Sequence, residues 1–159
     1  MMPPRVMESL SLALAFLTCC SRPPLIKGLP QDELTIERGN KLIATLKVEV
    51  ASTAAQRAAG LMGVRNLPAG TGMIFVFTTP SQATFYMKGT LIPLDIAFWD
   101  ESGRVRSIQT MAPCRAEACT LYRSPSPYLG ALEVRAGEMS RLGVRVGDLV
   151  QSGSIRSGP

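Results

Sequence analysis

Thr84-Phe85-Tyr86-Met87-Lys88-Gly89-Thr90-Leu91-Ile92-Pro93-Leu94-Asp95-Ile96-Ala97-Phe98-Trp99-Asp100 reads as two strands joined by a sharply turning loop. In the first strand, over residues 83–88, side-chain alternation puts Phe85 and Met87 on one face and Thr84, Tyr86 and Lys88 on the other. In the second, Leu94, Ile96 and Phe98 oppose Asp95, Ala97 and Trp99. Asp95 is thus the only charge inside an apolar strand, and the loop is expected to bring Lys88 and Thr90 close to it.

The segments on either side have the same character. Residues 41–50 alternate Leu42, Ala44, Leu46, Val48 and Val50 with Ile43, Thr45, Lys47 and Glu49, the pattern of a half-buried strand. Ser52-Thr53 supplies an N-cap for the alanine-rich run 54–59, a helix that Gly60 and Gly63 keep short. Met73-Ile74-Phe75-Val76-Phe77 is apolar throughout and predicts a strand buried on both faces. After the turn at 100–103, residues 104–112 return as an outer strand and 128–135 form another, with Leu132 and Val134 on the core side and Glu133 on the other. Residues 137–143 predict one helical turn stopped by Gly143, and 144–150 a last strand interrupted at Gly147-Asp148.

A chain of 159 residues, 46% hydrophobic and 18% charged, supports one core and not two. Its 14 glycines and 12 prolines, punctuating short apolar runs, predict a mainly β fold. The net charge of +5 comes from 17 Lys and Arg scattered against 12 Asp and Glu. No basic stripe interleaved with aromatics is present, so no nucleic-acid partner is expected. Histidine is absent, which excludes Ser-His-Asp and Cys-His catalysis and every histidine-based metal site. No metal or cofactor is expected.

Residues 1–20 carry Arg5, an apolar run too short to span a bilayer, and Cys19-Cys20. They read as an export signal. Leu17-Thr18-Cys19-Cys20 resembles a bacterial lipoprotein box with Cys20 as the acylated residue, although Cys19 stands where a small residue is usual. Plain cleavage, or a wrongly assigned start codon, is the alternative. Residues 21–33 are then a tether, 34–152 a single β domain, and 153–159 a disordered tail. In an oxidising compartment Cys114 and Cys119 most often form a local disulfide. A redox couple or half of a metal site is less favoured, since the spacing is wider than C-x-x-C and no other ligand cluster is at hand.

Gly60-Leu61-Met62, Leu67 with residues 72–77, Met87-Lys88 with Thr90-Leu91-Ile92-Pro93-Leu94-Asp95, Leu132-Glu133-Val134 with Ala136-Gly137, and Leu142-Gly143 with Val146-Gly147-Asp148 occur here in one order. Together they resemble a widespread bacterial and archaeal family, domain of unknown function 192, over roughly residues 45–150. The resemblance implies a compact jelly-roll-like sandwich or flattened barrel with one or two short helices. It implies no reaction, and members are often exported or lipid-anchored. The chain departs from the family pattern at Tyr86, where tryptophan is usual, and at Gly89, where asparagine is usual.

The candidate ligand-binding residues are Lys88, Thr90, Asp95, Tyr86, Glu133 and Asp148. A carboxylate and an ammonium in one apolar cleft can clasp a polar ligand or act as an acid–base pair. The structural alternative has Asp95 accepting backbone amides of the 89–93 loop, with Lys88 neutralising it. Tyr86 and Trp99 could share a sheet face as an aromatic platform, or merely pack across strands. Met62, Met73 and Met87 could line a binding surface, but filling core is the simpler expectation. Three functions follow. The preferred one is a non-catalytic, lipid-tethered envelope domain binding a small polar ligand, a glycan or a partner protein. The second is a hydrolase or lyase with Asp95 or Glu133 as base and Lys88 as stabiliser. The third is a purely structural or assembly factor.

Overall fold

The computed structural model describes residues 26–156; the export signal and Cys20 lie outside the described residues. Seven strands form one mixed sheet in the order β5-β4-β6-β3-β2-β1-β7. They are β1 (Gln31–Arg38), β2 (Lys41–Ala51), β3 (Thr71–Ser81), β4 (Leu94–Trp99), β5 (Val105–Met111), β6 (Tyr128–Arg135) and β7 (Leu149–Ser152). The short helices are α1 (Ala54–Ala59), α2 (Glu138–Leu142) and α3 (Gly153–Arg156). The mainly β expectation holds.

β1 and β2 make a hairpin turned at Gly39, whose φ of +60° suits a residue without a Cβ. The chain then crosses over through α1, so β3 lies parallel to β2 while the other strand pairs are antiparallel. α1 starts where expected. Thr53 accepts from the Gln56 amide and the Gln56 side chain accepts from the Thr53 amide, a reciprocal capping box.

β3, β4 and β6 are adjacent and apolar on both sides. Ile74, Ala97, Trp99, Leu132 and Val134 pack on one face with Leu34, Leu46, Val48 and Val150 from the outer strands and Met139 and Val144 from the α2 region. Met73, Phe75, Ile96, Phe98 and Ala131 pack on the other with Leu61, Leu67 and Met87 from covering loops. The sheet is not closed into a barrel. Its edge strands approach where the Val105 amide donates to Asp148, Gly147 to Val105 and Val150 to Gly103, around an isolated Arg104–Leu149 bridge.

Four expectations change. Residues 83–88 are not a sheet strand, because both edges of β4 are taken by β5 and β6. They form an arm across the second face, attached by isolated pairings of Phe85 with Tyr122 and Lys88 with Cys114. The last strand covers 149–152 rather than 144–150, since Asp148 holds a turn by accepting from Arg145 N. Residues 153–156 of the expected tail are helical, with Asp32 accepting the Ser154 amide; residues 157–159 lie outside the described residues. Finally, part of the expected tether is ordered: Gln31, Asp32 and Glu33 already belong to β1, and the residues before them are docked. Glu49, buried between β2 and the chain's entry, accepts amides from Ile26, Lys27, Gly28 and Leu29 at 2.5–3.4 Å.

Trp99 is fully buried and lies against Gly130 on the neighbouring strand, where an added Cβ would clash with the indole ring. Gly130→Ala is therefore expected to cost at least about 2 kcal/mol by overpacking. Adding Trp99→Phe opens room, so denaturant titration should show the double variant less destabilised than the sum of the two single losses.

Candidate functional site

One concave feature is an aromatic groove of about 230 Å³ between α1 and the arm. Its lining runs from Arg57 through Met62 on one side and from Ala83 to Tyr86 with Thr90 on the other, over Phe75 and Phe77. The local sequence explains each wall. The short α1 presents alanines, so it lies low beside β3. Gly60, at φ +43°, turns the chain directly above Phe75. The arm is extended because Phe85 both donates to and accepts from Tyr122 at 2.8 Å. It then turns at Gly89, whose φ is +75° and whose carbonyl accepts from Gly63.

Edge-on ring contacts stiffen the floor: Phe75 on Phe85 at 5.0 Å, Phe85 on Phe98 at 5.5 Å and Phe77 on Tyr128 at 5.3 Å. The Arg57 guanidinium sits 4.6 Å from the Phe77 ring centroid and donates to the Ser52 and Val76 carbonyls. Cys114 and Cys119 form a disulfide, and the Cys114 amide donates to Met87 of the arm. The disulfide loop therefore braces the far side of the groove wall.

Tyr86 and Thr90 belong to this groove; Tyr86 is 45% exposed and Thr90 is buried. Lys88 is exposed and forms no ion pair among the described residues. Asp95 is elsewhere. It shares the opposite sheet face with Ala97 and Trp99, where one oxygen accepts from the Thr110 hydroxyl at 2.7 Å and the other from the Met139 amide at 3.2 Å. The expected partners, the 89–93 amides and Lys88, are not the ones found. Asp95 instead caps α2 from across the sheet, which its N-cap Gly137 has no side chain to do. Lys88, Thr90 and Asp95 therefore do not form one cleft. Nor do Tyr86 and Trp99 make a platform, since Trp99 is enclosed. Met73 and Met87 fill core, while Met62 lines the groove.

Asp148 accepts two hydrogen bonds from Arg38 at 2.8 and 2.9 Å and one from the Arg145 amide. Burial alone would raise its pKa, but the Arg38 and Arg145 contacts hold it below the usual carboxylate range. Glu133 is different. It points to the second face, has no hydrogen-bond partner among the described residues, and burial pushes its carboxyl up to about 8. It does not line the groove. No group of three or more potential metal ligands occurs among the described residues.

Two buried acids escaped the sequence reading. Glu49 looked like a solvent-facing member of an alternating strand, and only the return of residues 26–29 over it revealed its role. Glu138 accepts from Gly70, Arg135 and Arg141, the last bond chiefly holding its carboxyl down to about 2. Its signal was in the chain, since Arg135 and Arg141 flank it three residues away on each side.

Because the Glu133 carboxyl titrates higher folded than unfolded, the native state holds a proton that the unfolded chain releases above about 4.5. Stability is then expected to fall as pH rises through about 8. Glu133→Gln removes this slope. Thermal melts from pH 5 to 9 should show the variant matching the parent at the acid end and exceeding it by about 2–4 kcal/mol at the alkaline end. Parallel curves would mean that Glu133 is ionised at neutral pH.

The comparisons with known proteins agree with this fold. A crystal structure of a protein of unknown function from Novosphingobium aromaticivorans DSM 12444 is similar at 33% identity and TM-score 0.73, over 83% of this chain and 94% of that one. A Sinorhizobium meliloti 1021 protein, provisionally called a transcription regulator, is similar at 31% identity and TM-score 0.70, over 78% and 95%. No curated protein matches. The family model DUF192, described as Uncharacterized ACR, COG1430, matches residues 34–152, and the chain belongs to that family.

Proposed function

We propose that this protein is a non-catalytic binding domain of the cell envelope, exported and anchored through an acylated Cys20, that presents its aromatic groove to another molecule. The observation that carries the reading is the groove itself, an open concave site walled by Phe75, Phe77, Phe85 and Tyr86 with Arg57 at one side. Apolar walls with a few placed polar groups are what recognition sites share. Acid–base chemistry has less support. Both Asp95 oxygens serve α2 and Thr110, and Glu133 pairs with no cation among the described residues and does not line the groove.

The anchor and the docked entry segment fit together. With residues 26–29 strapped to Glu49, the span from Cys20 to Ile26 is at most about 20 Å when fully extended. An acylated Cys20 would then hold the domain close against the membrane. The name given to the Sinorhizobium relative is not carried over, because the basic residues here are dispersed and several are tied up in ion pairs with Asp100, Glu138 and Asp148.

Two measurements on the full chain in cells test this. Metabolic labelling with an alkyne fatty acid should mark the parent and not Cys20→Ser. A photoreactive phenylalanine analogue at position 86 should give a discrete crosslinked adduct, whereas the same group at Leu42, an exposed hairpin position, should not. Asp95→Asn should lower stability by about 1–2 kcal/mol yet leave the crosslink in place. Loss of the crosslink in a folded Asp95→Asn chain, or none at position 86 in the parent, would remove the groove from the function.

A further inference from the structure

The arm that walls the groove is paired along one edge and open along the other. In extended backbone, successive residues send their N–H and C=O groups to opposite sides. Phe85 spends both of its groups on Tyr122. The groups of Thr84 and Tyr86, which point the other way, have no hydrogen-bond partner among the described residues. Both residues line the groove, opposite α1. The groove therefore has an unsatisfied strand edge along one wall, the kind of edge that accepts an added strand.

Its size and chemistry narrow the occupant. About 230 Å³ is less than ordinary small-molecule sites enclose, and it suits one apolar side chain over Phe75 and Phe77. Among the described residues the lining holds no Asp, Glu, Asn or Gln, so the hydroxyls of a sugar would meet few side-chain acceptors. Among the described residues the only charge in the lining is the Arg57 guanidinium, and it has no carboxylate partner there.

We propose that the groove docks an extended peptide segment of a partner protein, which pairs with the Thr84 and Tyr86 backbone, inserts an apolar side chain over Phe75 and Phe77, and sets a carboxylate beside Arg57. This rests on the groove-binding reading above and adds the class of partner. Main-chain pairing supplies affinity without dictating sequence, while the single pocket and the cation select an apolar residue near an acidic one.

The test uses the full lipidated chain in detergent micelles. The probe is an acetylated heptapeptide amide, Ser-Thr-Val-Phe-Val-Asp-Ser, with versions bearing Leu or Ala for Phe and Asn for Asp. Two further versions are N-methylated on one or the other alternating set of amides. Binding should slow hydrogen exchange at the Thr84 and Tyr86 amides. One N-methylated set should weaken affinity about tenfold or more, while the other binds nearly as the parent. Asp-to-Asn in the peptide, or Arg57→Gln in the protein, should weaken it several-fold and flatten its salt dependence. A peptide that binds at the groove but is indifferent to both methylation patterns would overturn strand addition while leaving a binding groove. If no peptide binds while the crosslink at position 86 persists, the partner is not an extended peptide. If both fail, the groove reading falls as well.

Discussion

Burial of β3, β4 and β6 on both faces is the constraint from which most of the molecule follows. A sheet with two apolar faces must be covered twice. One cover is the outer part of the same sheet with α2; the other is a set of loops, at 61–67, the arm at 83–93 and the disulfide loop. Any ionisable group in these strands must be compensated in place. Asp95 is satisfied by a hydroxyl and a helix amide, while Glu133 has no such partner among the described residues and burial pushes its carboxyl up to about 8. The two carboxyls look alike in sequence and face opposite sides of the sheet.

The groove is the seam left in the loop cover. Its floor is sheet, and the arm wall is held by backbone bonds of Phe85 with Tyr122, Met87 with Cys114 and Gly89 with Gly63, by the Tyr128 hydroxyl donating to Ala83, and by the core packing of Phe85 and Met87. The disulfide restrains the partner loop rather than the sheet. Closing so short a loop contributes about 2 kcal/mol on chain-entropy grounds.

Several acids away from the groove, Asp32 half-buried and the others buried, serve as joints. Glu49 gathers the entering chain, Glu138 ties α2 to the loop at Gly70, Asp148 fastens the turn before β7 to Arg38, and Asp32 starts the last helical turn. Each collects donors from segments distant in sequence, so each fixes the closure of a loop that the strands alone leave open.

Much was legible from the chain alone, for local reasons. Alternation around Leu46 and Leu132, the unbroken apolar run at 73–77, the Thr53 cap and the Gly143 stop are short-range patterns, and the strands and helices they predict are present. The order of motifs was enough to show the family. Partners distant in sequence were not legible. That Asp95 would meet Met139, 44 residues away, rather than the adjacent loop depends on which strands flank β4. The arm at 83–88 has the pattern of a strand and is denied a place in the sheet for the same reason, which leaves the Thr84 and Tyr86 edge open. Periodicity determined which side chains are apolar and which way they alternate; only the tertiary structure decided strand neighbours, and with them which carboxylates are joints and where the groove lies.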